Sequence, residues 1–185
     1  PEYRGCNLGK RLIDATIENN FIYSNGATGP HPSGPTGCRV INYGTGIEVF
    51  HGSGNIIRNN VVFANRLHGI RVREDFLVSP TPNAVYNNTV VGNGGLGIGS
   101  YYAGSLTIVR NNISYMNSGT ADCGSTPDVC RIEVTSNNLV GVDPRFLNAA
   151  ALDFHLRDDS PARDMGEALA EVTNDFDGVL RPQGA

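Results

Sequence analysis

Lysine is all but missing from this chain: Lys10 is the only one in 185 residues. A lysine general base is therefore nearly excluded. Charged residues make up 17% and the formal net charge is −4, which argues against nucleic acid as the main partner, since nucleic-acid binding needs a basic footprint. No apolar run approaches the roughly 18 residues that cross a bilayer, and that no signal peptide remains does not exclude secretion. A run of the form Leu-x-x-Leu-x-Leu is absent, and no stretch shows a convincing helical period. With 23 glycines and 10 prolines, helical repeats built from paired amphipathic helices are excluded. No Gly-x-Ser-x-Gly or phosphate loop appears, and His31, His51, His68 and His155 are not spaced as a zinc site.

Cysteine is scarce but even in number: Cys6, Cys38, Cys123 and Cys130, without metal-type clustering. Cys123 and Cys130 read as a short disulfide-closed loop within 118–130, and Cys6 with Cys38 would tie the first repeat to a long insertion. Bridges would imply an oxidising, extracellular or periplasmic setting. Four reduced, buried thiols are the alternative.

What the chain has is asparagine in pairs. Asn19-Asn20, Asn59-Asn60, Asn87-Asn88, Asn111-Asn112 and Asn137-Asn138 are each followed, five residues after the second Asn, by Asn25, Asn65, Asn93, Asn117 and, in a worn last copy, Asp143. Successive second asparagines lie 40, 28, 24 and 26 residues apart, a unit of about 25 with one long insertion at 26–45. Periods of that size mean a solenoid. Short β-prone runs precede each pair (Ala15–Ile17, Asn55–Ile57, Ala84–Tyr86, Thr107–Val109, Ile132–Val134) and others follow. Asparagine tolerates the left-handed backbone needed at a sharp bend. Stacked at the strand spacing of about 4.8 Å, Asn20, Asn60, Asn88, Asn112 and Asn138 would form a hydrogen-bonded ladder, satisfying amides that are costly to bury unpaired. A third strand is marked by Gly46-Ile47, Gly69-Ile70 and Gly97-Ile98. The fold expected is all-β: a parallel β-helix of about five rungs over 1–143, with an irregular closing segment at 144–185.

These repeats resemble right-handed parallel β-helix proteins of the pectate-lyase-like superfamily, whose unit is Ile-x-x-Asn-Asn-x-[Ile/Val]-x-x-Asn followed by Gly-Ile-x-Val; the resemblance runs from about residue 12 to 143. Beyond it, Asp143–Phe146, Asp153–Leu156, Ser160–Ala162 and Asp175–Gly178 followed by Arg181-Pro182 look like the closing segment of secreted bacterial β-helix proteins, several of which carry surface-anchoring domains. The resemblance implies a secreted or cell-surface bacterial location and a polysaccharide partner. The opening rung has no amphipathic segment to cap its strand edge, and uncapped solenoid ends associate. Further rungs upstream, or another chain, are expected to cover the open ends.

Strand alternation turns the Ile and Val of each Gly-Ile-x-Val strand inward, leaving Glu48, Arg71 and Gly99 in one outer column and Phe50, Arg73 and Tyr101 in the next. His51, Glu74 and Tyr102 follow at the strand exits, with His68 and Asp75 flanking. In lyases of the resembled superfamily this face is the substrate cleft, where an Arg or Lys removes the proton α to a uronate carboxylate and Ca²⁺ or another Arg neutralises that carboxylate. The resemblance makes Arg71 and Arg73 candidates for base and neutraliser, although an Arg base is demanding. Glu48, Glu74 and Asp75 offer the oxygen ligands Ca²⁺ needs, and Phe50, Tyr101, Tyr102, His51 and His68 would line a sugar site. The lyases' own Ca²⁺-ligand and Lys/Arg motifs are absent, and Glu48 beside Arg71 equally reads as a cross-strand ion pair of small worth. A paired-carboxylate hydrolase ranks lower, because the aspartates concentrate after the rungs. Asp175-Phe176-Asp177-Gly178 reads as a turn more readily than as half a calcium loop. A polysaccharide lyase and a non-catalytic surface β-helix both remain open.

Overall fold

The computed structural model describes residues 12–26, 44–50, 52–73, 81–101, 107–118 and 134–181. Cys6, Cys38, Cys123 and Cys130, with both proposed bridges, lie outside them. The chain turns through successive rungs. The first holds β1 (Thr16–Glu18), β2 (Phe21–Tyr23) and β3 (Ile47–Phe50), the second β4 (Ile56–Arg58), β5 (Val61–Phe63) and β6 (Ile70–Arg73). The third holds β7 (Ala84–Tyr86), β8 (Thr89–Val91) and β9 (Ile98–Tyr101), the fourth β10 (Ile108–Arg110) and β11 (Ile113–Tyr115), and the fifth β12 (Val134–Ser136) and β13 (Leu139–Val140). Each strand pairs in parallel with its counterpart one rung away, giving three sheets: β1-β4-β7-β10-β12, β2-β5-β8-β11-β13 and β3-β6-β9. No helix longer than one 3₁₀ turn occurs among the described residues.

The inward positions make one apolar column in each of the first two sheets and two in the third. Ile57, Val85 and Val109 stack from the first sheet, Val62 and Val90 from the second, and Ile47, Ile70, Ile98, Val49 and Val72 from the third, with Ile17 and Ile22 packed above them. Burying each such side chain contributes roughly 1.5–3 kcal/mol. Gly46 and Gly69 mark the third sheet for a steric reason: a Cβ there would come within 2.4 Å and 2.3 Å of Val62 and Val90.

The corners divide labour between neighbouring residues. The first asparagine of each pair, at 19, 59, 87, 111 and 137, takes the left-handed conformation with φ between 52° and 58°. The second stacks, buried at Asn60, Asn88 and Asn112: the Nδ2 of Asn20, Asn60, Asn88 and Asn112 donates to Oδ1 of the next ladder residue at 2.9, 3.0, 3.0 and 2.9 Å. The backbone N–H of each donates to the same oxygen. A second ladder, Asn25–Asn65–Asn93–Asn117, repeats this at 2.9, 2.9 and 2.8 Å, and Asn55–Asn83 forms a third at 2.8 Å. A left-handed residue comes just before each asparagine of the second ladder, Ser24, Ala64, Gly92 and Met116, and Gly54 comes before Asn55, whereas Asn83 follows Pro82.

Three expectations need correcting. Three of the strands before the pairs, β1, β4 and β10, start one residue later than Ala15, Asn55 and Thr107, Asn55 because it belongs to a corner ladder, while β7 coincides with the expected Ala84–Tyr86. Leading and second asparagines do different jobs, so a single bend-and-ladder residue does not exist. Asp143, the worn copy of the third asparagine, serves a turn instead: its Oδ1 accepts from the Arg145 N–H at 2.8 Å, and no bond from Asn117 to it is found among the described residues.

After β13 the chain forms an antiparallel pair, β14 (Phe146–Asn148) with β15 (Asp153–Leu156), and returns along the outside. Phe154 lies 6.0 Å from Phe21 and 5.1 Å from Phe63 on the second sheet. Val172 and Leu169 pack on Tyr86, Ala84, Ile56 and Ile108 of the first. Corner asparagines hold the strap: Asn59 donates to the Asn174 carbonyl at 2.8 Å, while Asn111 donates to the Glu167 carbonyl at 2.8 Å and accepts from its N–H at 3.0 Å.

The ladder predicts a graded response to mutation. Asn88→Ala strands donors and acceptors on both neighbouring rungs and should cost about 3 kcal/mol or more; Asn20→Ala, at the exposed end, should cost about 1 kcal/mol. Urea unfolding of the two variants checks this, and equal losses would contradict it.

Candidate functional site

Because the ladders fix register on the inside, they also fix which outer side chains are neighbours. Glu48 pairs with Arg71 and Arg71 with Gly99; Phe50 pairs with Arg73 and Arg73 with Tyr101. Arg71 Nη1 lies 3.5 Å from Glu48 Oε1, with the two side chains 10% and 21% exposed. Gly99 leaves the place beyond Arg71 without a side chain. The backbone puts Phe50, Arg73 and Tyr101 one rung apart in the adjacent column. His51, Glu74, Asp75 and Tyr102 lie outside the described residues.

His68 precedes β6 and is bound to the rung beyond: the Leu96 N–H donates to its Nδ1 at 3.0 Å. In the neutral ring that bond occupies the Nδ1 lone pair and puts the proton on Nε2. Burial lowers the pKa of His68, and the Arg71 guanidinium lowers it further. The imidazole is thus an uncharged donor, and Arg71 is a partly desolvated cation held by Glu48. Glu48, already facing a guanidinium, is a poor calcium ligand. Among the described residues no group of three His, Cys, Asp or Glu is arranged to hold a metal ion.

A second titratable cluster lies on the strap. His155 Nδ1 is 2.5 Å from Asp153 Oδ1 and its Nε2 is 3.0 Å from Asp177 Oδ2. Hydrogen bonds to Asp153 and then to Asp177 raise the pKa of His155. Asp175 Oδ1 accepts from the N–H groups of Asp177 and Val179 at 3.0 and 2.9 Å, so residues 175–179 form a tight turn that presents Asp177 to the imidazole. Nothing in the repeat pattern signals this contact. The usable signal was the outward rings Phe21, Phe63 and Tyr86, which need a cover.

The two histidines give opposite pH dependence. His68 is held below its ordinary 6.5, so the unfolded chain binds more protons and stability falls as pH drops through that value. His155 is raised, so its contribution is present below its ordinary pKa and is lost as pH rises through the folded value. Arg71→Met should move the His68 titration upward, though not fully to 6.5, because burial is the larger cause. It should also cost about 1–3 kcal/mol by leaving Glu48 without its cation. NMR titration of the histidines and denaturant melts read both; an unmoved His68 would refute the coupling.

Comparison with curated proteins and with solved structures found no match for the chain. A family model described as right handed beta helix region matches residues 9–140. Its span, the three parallel sheets and the stacked corner amides agree, and the chain belongs to the right-handed β-helix family.

Proposed function

We propose that the chain is a non-catalytic extracellular β-helix, of a secreted or surface-borne bacterial type, that binds a polysaccharide along the outer face of β3, β6 and β9. The observation that carries this reading is the Glu48–Arg71 pair beside His68. The guanidinium is 3.5 Å from a carboxylate, and the imidazole already accepts a backbone hydrogen bond. Neither group is set up as a base, whereas both donate hydrogen bonds, the interaction that sugar hydroxyls and uronate carboxylates accept. The backbone register sets positions 50, 73 and 101, two aromatic residues and a second arginine, at one-rung intervals, a spacing suited to a polymer. An acidic chain would take an anionic glycan through this local basic column rather than through net charge.

One observation favours β-elimination as a second reading: Arg71 lies close enough to depress the titration of His68, so a cation and a neutral imidazole share the face. In that reading Arg71 would neutralise a uronate carboxylate, and Arg73 would be the base.

Calorimetric titration with pectate, alginate and glycosaminoglycan should give saturable binding to at least one. Arg73→Gln should weaken it about tenfold, a loss of one charge-assisted contact. Ultraviolet absorbance should detect no unsaturated product. Product formation abolished by Arg71→Ala or Arg73→Ala would replace the binding reading with the lyase, and absence of binding to all three polymers would remove both.

A further inference from the structure

The ladders have a direction. In each, the Oδ1 of a rung accepts from the N–H and Nδ2 of the rung before it, as in Asn20 to Asn60 and Asn112 to Asn138. At the first rung, Asn20 Oδ1 and Asn25 Oδ1 accept no hydrogen bond among the described residues. At the fifth, the Asn138 Nδ2 is used by Val109 O and Thr135 Oγ1 at 2.9 and 3.0 Å, and its backbone N–H has no acceptor among the described residues. Among the described residues, the first rung therefore lacks donors to its ladder oxygens and the fifth lacks an acceptor for its ladder N–H.

Both ends also expose their inward positions. Val140 pairs with Ser114 in register and Thr135 with Val109, which places them in the core columns, yet Val140 is 46% exposed and Thr135 is exposed too. At the other end Leu12 and Ile13 are 39% and 55% exposed, and Ile17 and Ile22 are only partly covered. Extending the repeat by one step would set Thr135 over Ile17, Val140 over Ile22 and Leu139 over Phe21. The left-handed Asn137 would stand over the left-handed Asn19, with φ values of 53° and 55°. The Asn138 N–H would then meet Asn20 Oδ1.

We infer that the fifth rung of one copy stacks on the first rung of a second copy, head to tail, continuing the first two sheets and the central ladder across the junction. The occupant is this chain itself because its own two ends supply what each other lacks, in the same register and direction. Two first rungs facing each other would bring acceptor to acceptor. Such a heterologous contact does not close on itself and builds open chains of copies.

Two end-blocked variants test the arrangement, with circular dichroism and thermal melts confirming that both fold. Val140→Arg blocks the fifth rung and Asn20→Arg blocks the first. Analytical ultracentrifugation of the wild-type chain should show concentration-dependent growth beyond the dimer. Each variant alone should remain monomeric, with self-association weakened at least about tenfold. An equimolar mixture should form a one-to-one complex and stop there. Dimerisation of either variant alone, a mixture that stays monomeric, or a wild-type chain monomeric at every concentration would overturn the proposal. Should the variants fail to fold, Thr135→Arg takes the place of Val140→Arg and Ile13→Arg that of Asn20→Arg, with the same expected outcomes.

Discussion

A buried primary amide is the constraint on which the rest of this structure depends. Asn60, Asn88 and Asn112 are about 1% exposed, and each must find acceptors for two N–H bonds and donors for its oxygen without water. Only another amide, one rung along in the same orientation, meets both demands, because a carboxylate lacks the donors and an apolar side chain lacks everything. A strand slipped by two residues would keep its apolar face inward but would leave amides unpaired in several ladders, at about 1–3 kcal/mol each. Register is therefore set by polar groups, and the apolar columns fill in behind them. This explains why isoleucine and valine interchange along the columns while the ladder asparagines recur unchanged from rung to rung.

The same constraint determines the outside. Once Asn65 stacks on Asn93 and Gly69 fits against Val90, Ile70 must face Ile98, and Arg71 must then sit between Glu48 and Gly99. The electrostatics of the candidate face, a cation shared between a carboxylate and a depressed imidazole, thus follow from hydrogen bonds on the opposite side of the backbone. The strap works through the corners as well. Asn59 and Asn111 are left-handed, which turns their side chains away from the ladder and frees them to hold Asn174 and Glu167.

The rungs were legible in the sequence because a repeat states its geometry five times over, and errors in one copy are corrected by the next. The order within each rung was legible from glycine: Gly46 and Gly69 can have no side chain where Val62 and Val90 come so near. What could not be read were features stated once. Ser24, Ala64 and Met116 occupy the left-handed region that costs most residues about 1–2 kcal/mol, and none looks like a bend; the ladder asparagine following each holds it there. The His155–Asp177 contact spans 22 residues of irregular chain, with no second copy to reveal it. The outer face lies between these cases, since its columns follow from the repeat while its chemistry rests on single residues that repetition does not constrain.

Direction is the last consequence of amide stacking, and it separates this edge from that of an ordinary sheet. Two antiparallel edges can pair about a twofold axis, because each carries donors and acceptors alternately along its length. A parallel coil with one-way ladders cannot do so at its corners, where every oxygen points toward one end and every free N–H toward the other. Copies joined in the allowed direction keep the same rotational setting, so the Glu48–Arg71 column of each would lie on a common side. A weak glycan site repeated at fixed spacing gains effective concentration from its neighbours. A face with modest single-site affinity and ends of opposite polarity are then parts of one design, in which the strength of binding to a polymer is set by how many copies stand in line.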